Sequence, residues 1–404
     1  MSDIECPNEE RIPYSQRVEW KDVVPISVED GPDSICPISY LEEFKDTMSY
    51  LRAVMKTNEI SERAFDLVGD SINMHPANYS AWLYRMELFL GLNKDAIDEL
   101  DWISNIAAEN PKNYQLWHQR QRIIQELYKR NEIENFGSLK IDSIADLFTK
   151  ASGSKNVEIP QSAGKLFGEQ SFDIGQFFSK NEFKNKIIES EVNFLNEQID
   201  LDSKNFHAWS YRQFVVKTFG LYEYEFLYAK LKIEQDIRNN SAWNQLYFVL
   251  NSHFLKEEVP TPDQGLTGID QAKVSKESIL KDLITFSVEK IHMTPSNESP
   301  WVFVQGLLRI HGPELLYTDL YTQINQLSLL KDKKSTYLAQ SRFYWEFMAK
   351  YYIQKRDFIG SDGVEYSEWN SKAKSAYDKL SNLDPVRKNY WNYLVEKNIV
   401  STLS

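Results

Sequence analysis

The sequence predicts an all-α fold of tandem αα-hairpin repeats forming a curved, crescent-like superhelical array, and three observations predict it. A five-residue block that opens with Asn and closes with Trp occurs five times along the chain. Two of the four intervals between copies have the length of two helices and two turns. Apolar residues then follow each block at helical spacing, as at Trp117, Ile123, Ile124 and Leu127.

The copies are Asn78-Tyr79-Ser80-Ala81-Trp82, Asn113-Tyr114-Gln115-Leu116-Trp117, Asn205-Phe206-His207-Ala208-Trp209, Asn239-Asn240-Ser241-Ala242-Trp243 and, more loosely, Asn297-Glu298-Ser299-Pro300-Trp301. They begin 35, 92, 34 and 58 residues apart, so the longer intervals read as the same unit carrying insertions. Turn chemistry precedes them, as at His75-Pro76, Asn110-Pro111, Asp202-Ser203 and Thr294-Pro295. Asn or a neighbour is expected to cap the helix by accepting from amides that have no partner in the first turn. The Trp set, at fixed register, is expected to pack between hairpins. Arg stands three residues after Trp in the first three copies, as Arg85, Arg120 and Arg212, and is expected to contact neighbouring repeats. Leu246 and Val304 take that slot in the last two copies. A second amphipathic helix precedes the next Asn, as from Leu221 to Ile237.

Three segments break the rhythm. Residues 1–40, with scattered prolines, read as an extended arm ahead of a helical-repeat domain over 41–404. An insertion rich in Ser, Gly and Lys at about 136–182 and a shorter one at about 256–272 read as surface loops. Arg387-Lys388-Asn389-Tyr390-Trp391 is a candidate for a degenerate final repeat.

Composition narrows the function classes. The chain has 404 residues, 42% of them hydrophobic, 26% charged and 13% aromatic, a balance that suits stacked helices with bulky interfaces. A net charge of −13 weighs against gripping nucleic acid through its phosphates. The charge suits either plain solubility or attraction of basic polypeptide tails, and composition leaves both open. Cys6 and Cys36 could not staple a chain this long, so a reducing, cytoplasmic setting is expected. The six His residues form no HxxxH pair, so this chain alone is expected to build no zinc site. No apolar run approaches the length of a membrane span, and the first residues lack the apolar core of a signal peptide. Without a nucleotide-binding loop, nucleophile elbow or HExxH motif, no self-contained active site is expected.

Comparing the copies with one another singles out two slots. Two residues after Asn stand Ser80, Gln115, His207, Ser241 and Ser299. Gln115 and His207 replace the default Ser with larger hydrogen-bonding groups, either to meet an anion at a helix start or through drift at a surface position. The slot before Asn holds Ala77, Lys112, Lys204, Arg238 and Ser296. A cation there opposes the helix macrodipole at a cost of about 0.3–1 kcal/mol, which implies exposed side chains or a nearby anion. The repeat pattern does not choose among the three cations.

Tandem Asn-aromatic-x-x-Trp units, often with Arg three residues after Trp, resemble the repeats of protein prenyltransferase α subunits. The resemblance covers roughly residues 10–315 and is most specific at 111–121, 203–213 and 236–246, with Glu19-Trp20-Lys21-Asp22-Val23-Val24-Pro25-Ile26 similar to the lead-in of the farnesyltransferase α subunit. It implies an obligate heterodimer with the β subunit of farnesyltransferase or type-I geranylgeranyltransferase. That enzyme would move a farnesyl or geranylgeranyl group from its diphosphate to a Cys near the C-terminus of CaaX proteins such as small GTPases. Zn2+ would belong to the β subunit, and Mg2+ would assist the farnesyl reaction. The resemblance implies that Lys112 approaches the isoprenoid diphosphate, as the residue expected to act in catalysis, and that Gln115 meets the peptide's terminal carboxylate. It also implies that Tyr114 and His207 line the cleft, with Asn113 between them in a helix-start role. Phe206 stands where the family usually has Tyr, so a hydroxyl contact there is missing. Two other readings are the α subunit of the Rab geranylgeranyltransferase and a noncatalytic scaffold of the tetratricopeptide kind. The lead-in and the specific second and third blocks weigh against the first. The lack of small residues at fixed helix-contact positions weighs against the second.

Overall fold

The computed structural model describes residues 12–27, 35–36, 38–129, 186–255, 276–311, 314–330, 333–359 and 364–400. The segments expected to be loops at 136–182 and 256–272 lie outside the described residues, as do 1–11 and 28–34 of the arm. Every regular element among the described residues is helical, with no strand. These residues form two compact units, one running to Lys129 and resuming from Lys186 to Thr218, the other beginning at Phe219.

The first unit opens with two short 3-10 turns, Tyr14–Gln16 and Val18–Trp20. Helices α1 (Glu42–Thr57), α2 (Glu62–Met74), α3 (Tyr79–Gly91), α4 (Ala96–Glu109), α5 (Tyr114–Lys129), α6 (Lys186–Leu201) and α7 (Phe206–Phe219) follow. The described part of the arm is docked rather than simply extended. Tyr14 and Trp20 are buried, their rings edge-on at 5.2 Å, and Trp20 meets Tyr50 of α1 edge-on at 5.5 Å. Arg63 of α2 donates two N–H groups to the Asp22 carboxylate, each at 2.8 Å, and another to Glu59 at 2.6 Å. Ser61 and Asp95 cap α2 and α4 by accepting first-turn amides.

One joint is built the same way at every copy. Asn78, Asn113, Asn205, Asn239 and Asn297 each close a four-residue turn by donating their backbone N–H to the carbonyl three residues earlier, at 2.9–3.0 Å. Each side-chain oxygen then accepts from first-turn amides of the following helix, as Asn205 does from His207 and Ala208 at 2.9 and 3.3 Å. The Trp indole N–H folds back onto the carbonyl two residues before Asn, at 2.7–3.0 Å in all five copies. That carbonyl also receives the side-chain amide of the next copy's Asn. Asn113 donates to Pro76, Asn205 to Pro111 at 3.0 Å and Asn297 to Ile237 at 2.8 Å. Asn therefore caps its own helix with its oxygen and docks its repeat on the preceding turn with its nitrogen. All five Trp side chains are buried.

The Arg slot ties hairpins side to side. Arg85 donates to both Glu99 oxygens at 2.7 Å and lies 3.5 Å from the Trp102 ring centroid. Arg120 reaches α6, where Glu191 accepts two of its N–H groups, and donates to the Leu100 carbonyl at 2.7 Å. Both side chains of the Arg120–Glu191 pair are fully buried, and Tyr211 donates to the same carboxylate at 2.5 Å. Burial works against the Arg120 charge, but the Glu191 carboxylate and the Tyr211 oxygen outweigh it and hold its pKa above the ordinary value.

The second unit holds α8 (Tyr222–Gln235), α9 (Asn240–Val249) with a π-helical turn at Leu250–Phe254, α10 (Lys276–Met293), α11 (Glu298–His311), α12 (Glu314–Leu329), α13 (Lys333–Ala339), α14 (Arg342–Ile359), α15 (Val364–Leu383) and α16 (Lys388–Val395). It contains a sixth joint that the sequence pattern hides. Ser341 closes a turn by donating its backbone N–H to Leu338, and its hydroxyl donates to the Pro295 carbonyl at 2.6 Å. Four residues on, Trp345 donates to the Ala339 carbonyl at 2.7 Å. The expected final repeat at Arg387–Trp391 is not one. Trp391 is buried against Ala349, Ala376, Tyr377 and Leu380, and its indole N–H has no partner among the described residues. Without an Asn four residues earlier, it packs as an ordinary core aromatic.

Candidate functional site

In the joint, the cap, the indole bond and the docking bond are made by Asn, Trp and backbone groups, so the residues on either side of Asn are not required for them. In the first unit the residue after Asn points away from the core, leaving Tyr79, Tyr114 and Phe206 exposed. The residue before Asn is exposed at Lys112 and Lys204 as well. The repeat thus sets out a row of aromatic rings and cations at the starts of α5 and α7, where first-turn amides add partial positive charge.

Within that row the structure places each expected residue. Asn113 serves the joint, accepting from the Gln115 N–H at 3.0 Å and donating to Pro76. Gln115 is largely buried, and its amide donates to the Tyr114 hydroxyl at 2.7 Å, so the two side chains act as one oriented pair. Lys112 has a side chain 78% exposed, and its ammonium lies 3.7 Å from the Asp202 carboxylate, in the turn that precedes Asn205. His207 is half-buried at the start of α7, and the Phe206 ring meets it edge-on at 5.7 Å. Asp202 thus links the Lys112 end of the row to the turn that carries Asn205 and His207. Sequence comparison read Asp202 only as a turn former.

The arrangement can attract and orient an anion. It offers an exposed ammonium, two capped helix starts and an amide–phenol pair, but no nucleophile paired with a base. Among the described residues, no three His, Cys, Asp or Glu side chains come together as a metal set. None of the described helices is long and apolar enough to cross a membrane.

This combination of tandem capped hairpins, a recurring joint and variable helix starts defines a helical-repeat protein. Residues 61–92, 97–127, 188–219 and 222–253 match the protein prenyltransferase alpha subunit repeat, and these stretches fall on the α2–α3, α4–α5, α6–α7 and α8–α9 hairpins. The chain is 30% identical to the protein farnesyltransferase/geranylgeranyltransferase type-1 subunit alpha of Pisum sativum, with 96% of each chain covered. It is 28% identical to the subunit of the same name in Dictyostelium discoideum, over 95% of this chain and 93% of that one. A solved structure titled Candida albicans protein geranylgeranyltransferase-I complexed with GGPP superposes with a TM-score of 0.63 at 26% identity, covering 93% of this chain and 97% of that one. The chain belongs to the family of protein farnesyltransferase/geranylgeranyltransferase type-1 α subunits, and is thereby a subunit of a protein prenyltransferase.

Proposed function

We propose that this chain, joined to a β subunit, transfers a farnesyl or geranylgeranyl group from its diphosphate to a cysteine near the C-terminus of CaaX proteins in the cytoplasm. The observation that carries the reading is the row at the starts of α5 and α7, with Lys112 exposed beside the oriented Tyr114–Gln115 pair and His207 one joint away. In the reaction a thiolate attacks the first prenyl carbon while the bond from that carbon to the diphosphate oxygen breaks, and the electron pair leaves with the diphosphate. The Lys112 ammonium meets the negative charge growing on that leaving group, a contribution that counts most in the transition state. The helix starts of α5 and α7 add their partial positive charge on the same side. Gln115, Tyr114 and His207 orient the peptide and the diphosphate. The reading assigns the zinc that binds the substrate thiolate to the β subunit, and magnesium to the farnesyl reaction as a diphosphate counterion.

The test is co-expression with a farnesyltransferase β subunit, then with a type-I geranylgeranyl one, assayed with a CaaX peptide, zinc and magnesium. A stable one-to-one complex that prenylates the peptide is the expected result, with the isolated chain inactive. No complex with either partner would overturn it and move the reading to the Rab enzyme or a noncatalytic scaffold.

A further inference from the structure

Asp202 opens the turn that leads into α7, and its two carboxylate oxygens have different partners. Oδ1 accepts the backbone N–H of Lys204 at 3.1 Å, which ties the carboxylate to its own turn. Oδ2 lies 3.7 Å from the Lys112 ammonium, which belongs to the preceding repeat. One oxygen is anchored and the other is aimed. Lys112 carries a flexible four-carbon stem and is otherwise open to water, so its ammonium has many rotamers to sample.

We infer that Asp202 is a positioning residue for Lys112, holding the ammonium at the edge of the turn beside α7 so that it is in place when the prenyl diphosphate arrives. The inference rests on the role proposed above for Lys112. Carboxylate and lysine come from different repeats, so the pair fixes the lysine relative to the helix start that carries His207. The pair's contribution to folding is expected to be small, because exposed pairs contribute little to stability. Orientation of a group that acts on the reacting atoms, by contrast, is felt directly in the rate.

The experiment is a double-mutant cycle on the intact heterodimer, comparing the wild type, Asp202→Asn, Lys112→Ala and the double variant. Asp202→Asn is expected to lower kcat about 5-fold while the KM for the prenyl diphosphate and the Tm stay close to wild type. In the Lys112→Ala background the same change is expected to cost nothing further. Equal fractional losses in both backgrounds would mean that Asp202 acts independently of Lys112, which overturns the inference while leaving the Lys112 role intact. An unchanged kcat, or one that rises because the carboxylate merely competes with the diphosphate, overturns it too. Wild-type kcat in Lys112→Ala overturns both this inference and the reading of Lys112 on which it rests.

Discussion

The double use of the joint asparagine can be tested one function at a time at Asn205. Its oxygen accepts from His207 and Ala208, and its nitrogen donates to the Pro111 carbonyl at 3.0 Å, which also receives the Trp117 indole. Asn205→Asp is nearly isosteric and keeps the cap, because a carboxylate is also a good helix start. It loses the donor and sets an anionic oxygen against the Pro111 carbonyl. A hydrogen bond contributes about 1 kcal/mol net, and opposing two acceptors at a site only 3% exposed adds a similar amount, so a loss of about 2–3 kcal/mol is expected. Asn205→Ser, which imitates the natural Ser341 joint, retains a hydroxyl donor and should lose about 1 kcal/mol. Urea denaturation of the heterodimer, followed by Trp fluorescence, ranks the variants. An Asp variant as stable as wild type at neutral pH would refute the docking role.

Three further outcomes follow from side-chain contacts. Glu191→Met should destabilise by about 3–5 kcal/mol by stranding Arg120, whereas Arg120→Met with Glu191→Met should cost far less than the two single losses summed; denaturation of the wild type, both single variants and the double variant gives the coupling. Burial pushes Lys230, between the Phe226 and Phe286 rings, down to a pKa of about 8. The native lysine is then neutral above about pH 8 while the unfolded one keeps its proton to about 10.4, so stability gained from this group is lost as pH falls through 8. Lys230→Met should flatten the rise in Tm between pH 7 and 9, a range in which an unfolded Tyr, with a pKa of about 10, stays mostly protonated. Trp345→Phe should cost more than a surface change, by about 1–2 kcal/mol from the lost Ala339 bond and lost packing, if the sixth joint is built like the others; a Tm equal to wild type would show that it is not.

The repeat was legible because Asn and Trp of each copy serve the same joint, Asn capping the helix and docking on the preceding turn while the indole bonds the carbonyl two residues before Asn. Neither Asn nor Trp can drift without stranding a polar atom, so their spacing of four survives where little else does. The sixth joint escaped because Ser341 donates through a hydroxyl and its turn, Leu338 to Ser341, has no Pro or Asp to mark it. Trp391 misled for the opposite reason, since an aromatic pair beside an Asn resembles a block without having its spacing. The docked arm was read as simply extended because scattered prolines speak against long helices and say nothing of two short turns closed by Tyr14 and Trp20. Within the site, three repeats offer a cation in the same slot, so residue patterns could not choose Lys112. Its partner Asp202 lies beyond the long 130–185 interval, where no helical spacing connects the two.

The division of labour inside each repeat explains how a structural array can acquire chemistry. The cap, the indole bond and the docking bond use Asn, Trp and backbone groups, and they fix where each helix starts. At the second and third copies, the indole bond and the docking bond are made by Trp and Asn, not by the side chains immediately before and two after Asn. Substitution there alters what a helix start presents while leaving that bond and the docking to the preceding turn in place. Ser80 and Ser241 keep the default, whereas Lys112, Gln115 and His207 gather charge and hydrogen-bonding groups at two neighbouring helix starts. Exposed cations beside helix starts would be a small liability for folding alone. Their concentration at α5 and α7, with Asp202 set against one of them, is what an anionic substrate would require.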